Sequence, residues 1–112
     1  MSSSMKEGGL IRQLAHYQVR PEELEKCLAA IHTFVAYVRA KEPGTLRYEV
    51  WKEKEDPTRF VHLFTFRDAE ADRIHSESEE VKQFASVLYP ACVKPVEFVD
   101  YRRVVGNRDP EP

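Results

Sequence analysis

The sequence predicts an α+β fold, a four-stranded antiparallel sheet with helices on one face, in the order strand, helix, strand, strand, helix, strand. Three observations carry this expectation. Apolar residues recur at spacings of three and four from Leu24 to Val38, the mark of an amphipathic helix. Two strand-like segments flank the turn cluster Glu55-Asp56-Pro57-Thr58, the mark of a hairpin. The segments Leu10–Val19 and Arg59–Phe66 are apolar on both faces, which calls for a cover on each side of the sheet.

The first strand, Leu10 to Val19, places Leu10 and Leu14 on one face and Ile11, Ala15, Tyr17 and Val19 on the other, and it stops before Pro21. The main helix runs from Pro21 to Ala40. Proline suits its first position, and Glu22 and Glu23 meet the positive end of the dipole. Leu24, Cys27, Leu28, Ile31, Phe34, Val35 and Val38 form its stripe, and Pro43-Gly44 stops it. In Thr45–Lys54, Leu46, Tyr48 and Val50 alternate with Arg47, Glu49 and Trp51, so Trp51 and Tyr48 face opposite ways. Arg59–Phe66 returns antiparallel to it. Asp68 can cap a short helix to about Ser76, with Ala71, Ile74 and His75 on one face. Ser76-x-x-Glu79 reads as a capping box for a further helix striped by Val81, Phe84, Ala85 and Leu88 and ended by Tyr89-Pro90. A last strand follows Pro95, from Val96 to about Val105. This βαββαβ order is the ferredoxin-like arrangement. Its second sheet face would be bare in a monomer, so a two-fold homodimer, a dimeric α+β barrel, is expected.

Length and composition set the limits. The 112 residues suit one domain, 10–105, between small-residue tails at 1–9 and 106–112. Seventeen basic and 19 acidic side chains leave a net charge of −2, without the positive field of a nucleic-acid binder. No stretch approaches the roughly 20 apolar residues of a membrane span, and the N-terminus lacks a secretory apolar core. The expected compartment is the cytoplasm, with Cys27 and Cys92 reduced and unbridged.

A family resemblance rests on Glu42-Pro43-Gly44-Thr45-Leu46-Arg47-Tyr48-Glu49-Val50-Trp51, on Arg59-Phe60-Val61-His62-Leu63, and on Phe66-Arg67-Asp68-x-x-Ala71-x-x-x-His75-x-x-Ser78. With Leu88-Tyr89-Pro90 and Val96-Glu97-Phe98 closing the pattern, the chain resembles the antibiotic biosynthesis monooxygenase domain family across residues 10–104. That likeness implies a small dimeric α+β barrel, and for some members cofactor-free, quinone-forming oxygenation. Many members carry an acid two positions before the aromatic that ends the third strand; Phe64 stands there, before Phe66. The family is functionally diverse, so likeness argues fold more strongly than reaction.

The residues themselves show no metal motif, because His16, His32, His62 and His75 have no close ligand spacing. With only four glycines there is no Gly-rich phosphate loop, so neither flavin nor nicotinamide is indicated. Cofactor-free oxygenation asks for a dry aromatic pocket, a base, and a donor to the developing anion. His75 and His62 are the candidate catalytic residues; Tyr48, Phe64, Phe66, Ile74 and Phe84 are the candidate substrate wall for a small quinol- or phenol-like aromatic. Each has a bland alternative. His75 could only pin its helix, His62 could be a polar tenant of the sheet or interface, and the phenylalanines could be plain core. His16 and His62, on adjacent strands, could meet. The competing function is a non-catalytic ligand-binding or stress-related dimer of the same barrel.

Overall fold

A computed structural model describes residues 9–108. Strand β1 (Ile11–Gln18) leads into a 3₁₀ turn at Pro21–Glu23 and helix α1 (Leu24–Lys41). Strands β2 (Thr45–Lys52) and β3 (Arg59–Phe66) form the hairpin. Helices α2 (Ala69–Glu77) and α3 (Glu79–Ala91) precede the short strand β4 (Glu97–Tyr101). All pairings are antiparallel, in the order β2-β3-β1-β4. This is the ferredoxin-like α+β fold that the element order predicts. The expected tails fall largely on residues outside those described.

Register decides what faces the helices. Phe60, His62, Phe64 and Phe66 of β3 are all buried, as are Ala15 and Tyr17 of β1, while the residues between them are only partly covered. The stripe of α1 buries Cys27, Ile31, Phe34 and Val38 on this layer, and α3 adds Phe84, Leu88 and Ala91. Side chains of this size contribute about 1.5–3 kcal/mol each when fully buried, so the layer is the main source of stability. Val19 continues the layer past the end of β1 through a bridge to Cys92. Both cysteines are free thiols.

The opposite sheet face brings together Leu14, Leu63 and Val99 in one row, and Trp51 and Val61 beside His16 and Glu97 in the next. Trp51 is 58% exposed and Tyr101 55%. Because His16 pairs with Val61 while His62 pairs with Ala15, the two histidines lie on opposite faces and do not meet; His16 instead contacts Glu97 at 3.0 Å.

Several local expectations are corrected. Ser76 lies inside α2 and bonds Asp72, so there is no capping box at Ser76; Ser78 caps α3 instead, its hydroxyl accepting from Val81 N–H at 3.0 Å. Tyr89-Pro90 does not end α3. The proline sits in the last turn, and the carbonyls exposed there find partners: Arg20 donates from its backbone to Ala91 and from its guanidinium to Pro90. A bulge between Thr45 and Arg47 turns Leu46 outward, breaking the expected alternation. The last strand stops at Tyr101, with every residue exposed. Asp68 caps α2 as expected, accepting from Ala71 N–H at 2.9 Å. No helix among the described residues is long and apolar enough to cross a membrane.

Candidate functional site

The helix face of β3 sets the site. His62 stands at the middle of that strand, and its two neighbours across the sheet are β1 and β2. Tyr17 pairs with Phe60, two positions before His62; Tyr48 pairs with Phe64, two positions after it. Diagonal neighbours at this offset are within reach of a long aromatic side chain. The tyrosines accordingly converge on one ring: Tyr17 Oη lies 2.7 Å from His62 Nε2 and Tyr48 Oη lies 2.8 Å from His62 Nδ1. His62 is 2% exposed, and burial pushes its pKa down to about 4, so the imidazole is neutral at pH 7. Burial, the largest cause in each case, pushes both phenols above their usual range.

A second polar pair sits beside the first. His75 Nδ1 lies 2.8 Å from Glu42 Oε1, which also accepts from Thr45 Oγ1 at 2.7 Å. The carboxylate is 4% exposed and the imidazole 7%. A carboxylate only accepts, so His75 Nδ1 is the donor and Nε2 is left as the basic nitrogen. No hydrogen bond to His75 Nε2, or to Glu42 Oε2, is present among the described residues. Glu42 caps the C-terminus of α1, where Pro43-Gly44 turns the chain; Gly44 packs so closely on α2 that a Cβ there would lie 2.6 Å from Ala71 Cβ. That close approach brings His75 of α2 onto Glu42.

Between these two polar pairs is an interior cavity of about 60 Å³ whose walls include Tyr17, Tyr48, His62, Phe64, His75 and Phe84. Phe34 and Phe84 stack at 4.9 Å over it, and Phe34 meets His75 edge-on at 5.4 Å. Tyr89, Val96 and Phe98 are shared with an outer groove of about 420 Å³ that also carries Cys92, Lys94 and Pro95. The inner chamber holding two histidines and the wider groove along β4 thus share these three wall residues.

Sequence and geometry agree unevenly at this site. Tyr48, His62, Phe64, His75 and Phe84 all face the cavity. Phe66 lies behind the wall, fully buried with its ring 5.0 Å from His75. Ile74 does not belong: it is 45% exposed, because neighbours on a helix diverge by about 100° and the inner positions are Ala71 and His75. Glu42 and Tyr17 are the buried polar partners of the two histidines that residue-type reasoning passed over. Glu42 had a visible signal, since it extends the buried spacing Ile31, Phe34, Val38 by one further turn. Phe64 stacks on Tyr48 at 5.2 Å. The buried carboxylate of this site, Glu42, comes from the end of α1. Among the described residues no three His, Cys, Asp or Glu side chains cluster as a metal site.

Residues 10–87 match the model of the antibiotic biosynthesis monooxygenase family. The chain belongs to this family. A relative from Bacillus subtilis (strain 168), named "Putative monooxygenase YcnE", is 28% identical over 72 residues, 64% of this chain and 75% of that protein. Among solved structures, the "putative antibiotic biosynthesis monooxygenase" from Caulobacter crescentus CB15 superposes with a TM-score of 0.81 at 19% identity, covering 93% of this chain and 98% of that one. A conserved protein from Methanosarcina mazei Go1 gives 0.79 at 25% identity over 89% and 98%. These likenesses fix the fold of this antibiotic biosynthesis monooxygenase domain.

Proposed function

We propose that the protein is a cofactor-independent monooxygenase acting on a phenol- or quinol-like aromatic, with His75 as general base. The observation that carries this reading is the buried Glu42–His75 pair at the cavity wall, with Nε2 carrying no hydrogen bond among the described residues. The phenol O–H would transfer its proton to His75 Nε2, and the imidazolium formed would face the Glu42 carboxylate. The electron-rich phenolate then reacts with molecular oxygen. One oxygen atom ends in the quinone and the other leaves as water, the two hydrogens coming from the substrate. Aromatic walls and burial keep water from the anion. Membership of the antibiotic biosynthesis monooxygenase family supports the reaction class.

The active unit in this proposal is a homodimer formed through the open sheet face, supported by the row of Leu14, Leu63 and Val99 and by exposed Trp51 and Tyr101. A second reading, a ligand-binding dimer without chemistry, is favoured by one observation: about 60 Å³ of inner space is small for a bicyclic quinol, which would have to extend into the outer groove. Oxygen uptake with a dihydroxynaphthalene distinguishes the two. The proposal expects uptake well above the uncatalysed rate, falling about 10²–10⁴-fold per folded molecule in His75→Ala, whose melting temperature also falls because the buried Glu42 loses its partner. Equal uptake per folded molecule in the variant would remove His75 from the chemistry.

A further inference from the structure

Three protons and two hydrogen bonds meet at His62. A neutral imidazole carries one N–H, and Tyr17 and Tyr48 each carry one O–H. Burial holds the phenols protonated and the imidazole neutral at pH 7. The contacts at Nε2 and Nδ1 use one proton each. One tyrosine therefore donates into the bare imidazole nitrogen, while the other accepts the N–H and keeps its own hydroxyl proton free. Neither hydroxyl has a second hydrogen-bond partner among the described residues. A buried free donor costs on the order of 1–3 kcal/mol, which a cavity acceptor relieves.

We infer that the free proton is that of Tyr48: His62 donates through Nδ1 to Tyr48 and accepts from Tyr17 through Nε2, which makes Tyr48 the donor to a ligand oxygen and His62 its positioning residue. Position selects Tyr48. Its ring lies 5.8 Å from His75, whereas Tyr17 stacks at 5.5 Å on Phe60 at the far side of His62. Of the two tyrosines, Tyr48 is the one whose ring contacts His75, so a ligand oxygen at His75 is placed beside Tyr48.

The inference rests on the proposed function and narrows its substrate class. The site then holds one acceptor, His75 Nε2, and one donor, Tyr48 O–H, on the same cavity. It fits a hydroxyl oxygen that gives up a proton and keeps the electron pair. The substrate O–H bond breaks, an N–H bond forms on His75, and the phenolate oxygen accepts from Tyr48. Hydrogen bonds to an ionised oxygen are about twice as strong as neutral ones, so Tyr48 favours the ionised ligand over the neutral one.

Two experiments test this on the full chain. In the nitrogen-15 spectrum of labelled protein, His62 should show a protonated Nδ1 and an unprotonated Nε2. The reverse pattern would give the free proton to Tyr17 and overturn the inference. Independently, 4-nitrophenol reports its own ionisation by colour. Bound to wild-type protein it should ionise at lower pH than in water. In Tyr48→Phe it should still bind, with the ionisation constant weakened about tenfold or more, and Tyr17→Phe should weaken it less. Equal ionisation in wild type and Tyr48→Phe would overturn the donor assignment while leaving phenol binding in place. Failure of wild-type protein to bind 4-nitrophenol would overturn both.

Discussion

Lowering the pH from 7 to 5 should weaken the fold through one buried ring. His62 has a pKa of about 4 in the folded chain against an ordinary 6.5, because burial disfavours its charged form. Below pH 6.5 the unfolded chain takes up a proton that the folded chain refuses. The stability tied to neutral His62 is thus complete above pH 6.5 and is lost as the pH falls toward 4. A depression of this size corresponds to roughly 3 kcal/mol in all, of which about 2 kcal/mol is gone by pH 5. That is a large share of the 5–15 kcal/mol typical of a domain. Urea unfolding followed by circular dichroism, at one protein concentration and at pH 7 and 5, measures it. His62→Gln removes the titration and keeps a donor and an acceptor between the tyrosines. Wild-type protein should lose about 2 kcal/mol more than the variant over this interval. Equal losses would refute the argument, since the acid sensitivity would then belong to groups other than His62.

Three further outcomes follow from the same contacts. Gly44→Ala should destabilise by about 1–3 kcal/mol, read from the urea midpoint, because the added Cβ would stand 2.6 Å from Ala71 Cβ; an unchanged midpoint would mean α2 yields there freely. Asp68→Ala and Ser78→Ala each remove a helix cap and should each cost about 1 kcal/mol, additively within error if α2 and α3 are capped independently. Trp51→Glu, on the open sheet face, should convert the proposed dimer to monomer in sedimentation equilibrium, and a dimer unaffected by that charge would place the interface elsewhere.

The architecture was legible because its signals are periodic. The α1 stripe and the β3 alternation each fix a buried face, and the β3 alternation by itself places Phe60, His62, Phe64 and Phe66 toward the helices. Tyr48 and His62 could be put on one face but not bonded, because their contact depends on a diagonal register and not on residue type. Glu42 escaped notice because a charged residue at a helix end reads as solvated, and only the close approach at Gly44 buries it against His75. Ile74 went the other way: on a short helix a one-residue error in phase turns a side chain from the core to water. Ser76-x-x-Glu79 matches the capping-box pattern, but the hydrogen bond from Val81 N–H puts the cap at Ser78.

In the proposed mechanism Glu42 and His75 act together as the base of this cavity. Glu42→Gln tests it most directly, since it keeps the side chain's shape at His75 Nδ1 and removes the carboxylate charge. Steady-state oxygen uptake with a dihydroxynaphthalene should fall roughly 10²-fold or more, as when the carboxylate partner of a catalytic histidine is neutralised, while circular dichroism and the melting temperature stay close to wild type. Uptake within about twofold of wild type in a folded Glu42→Gln protein would contradict the account.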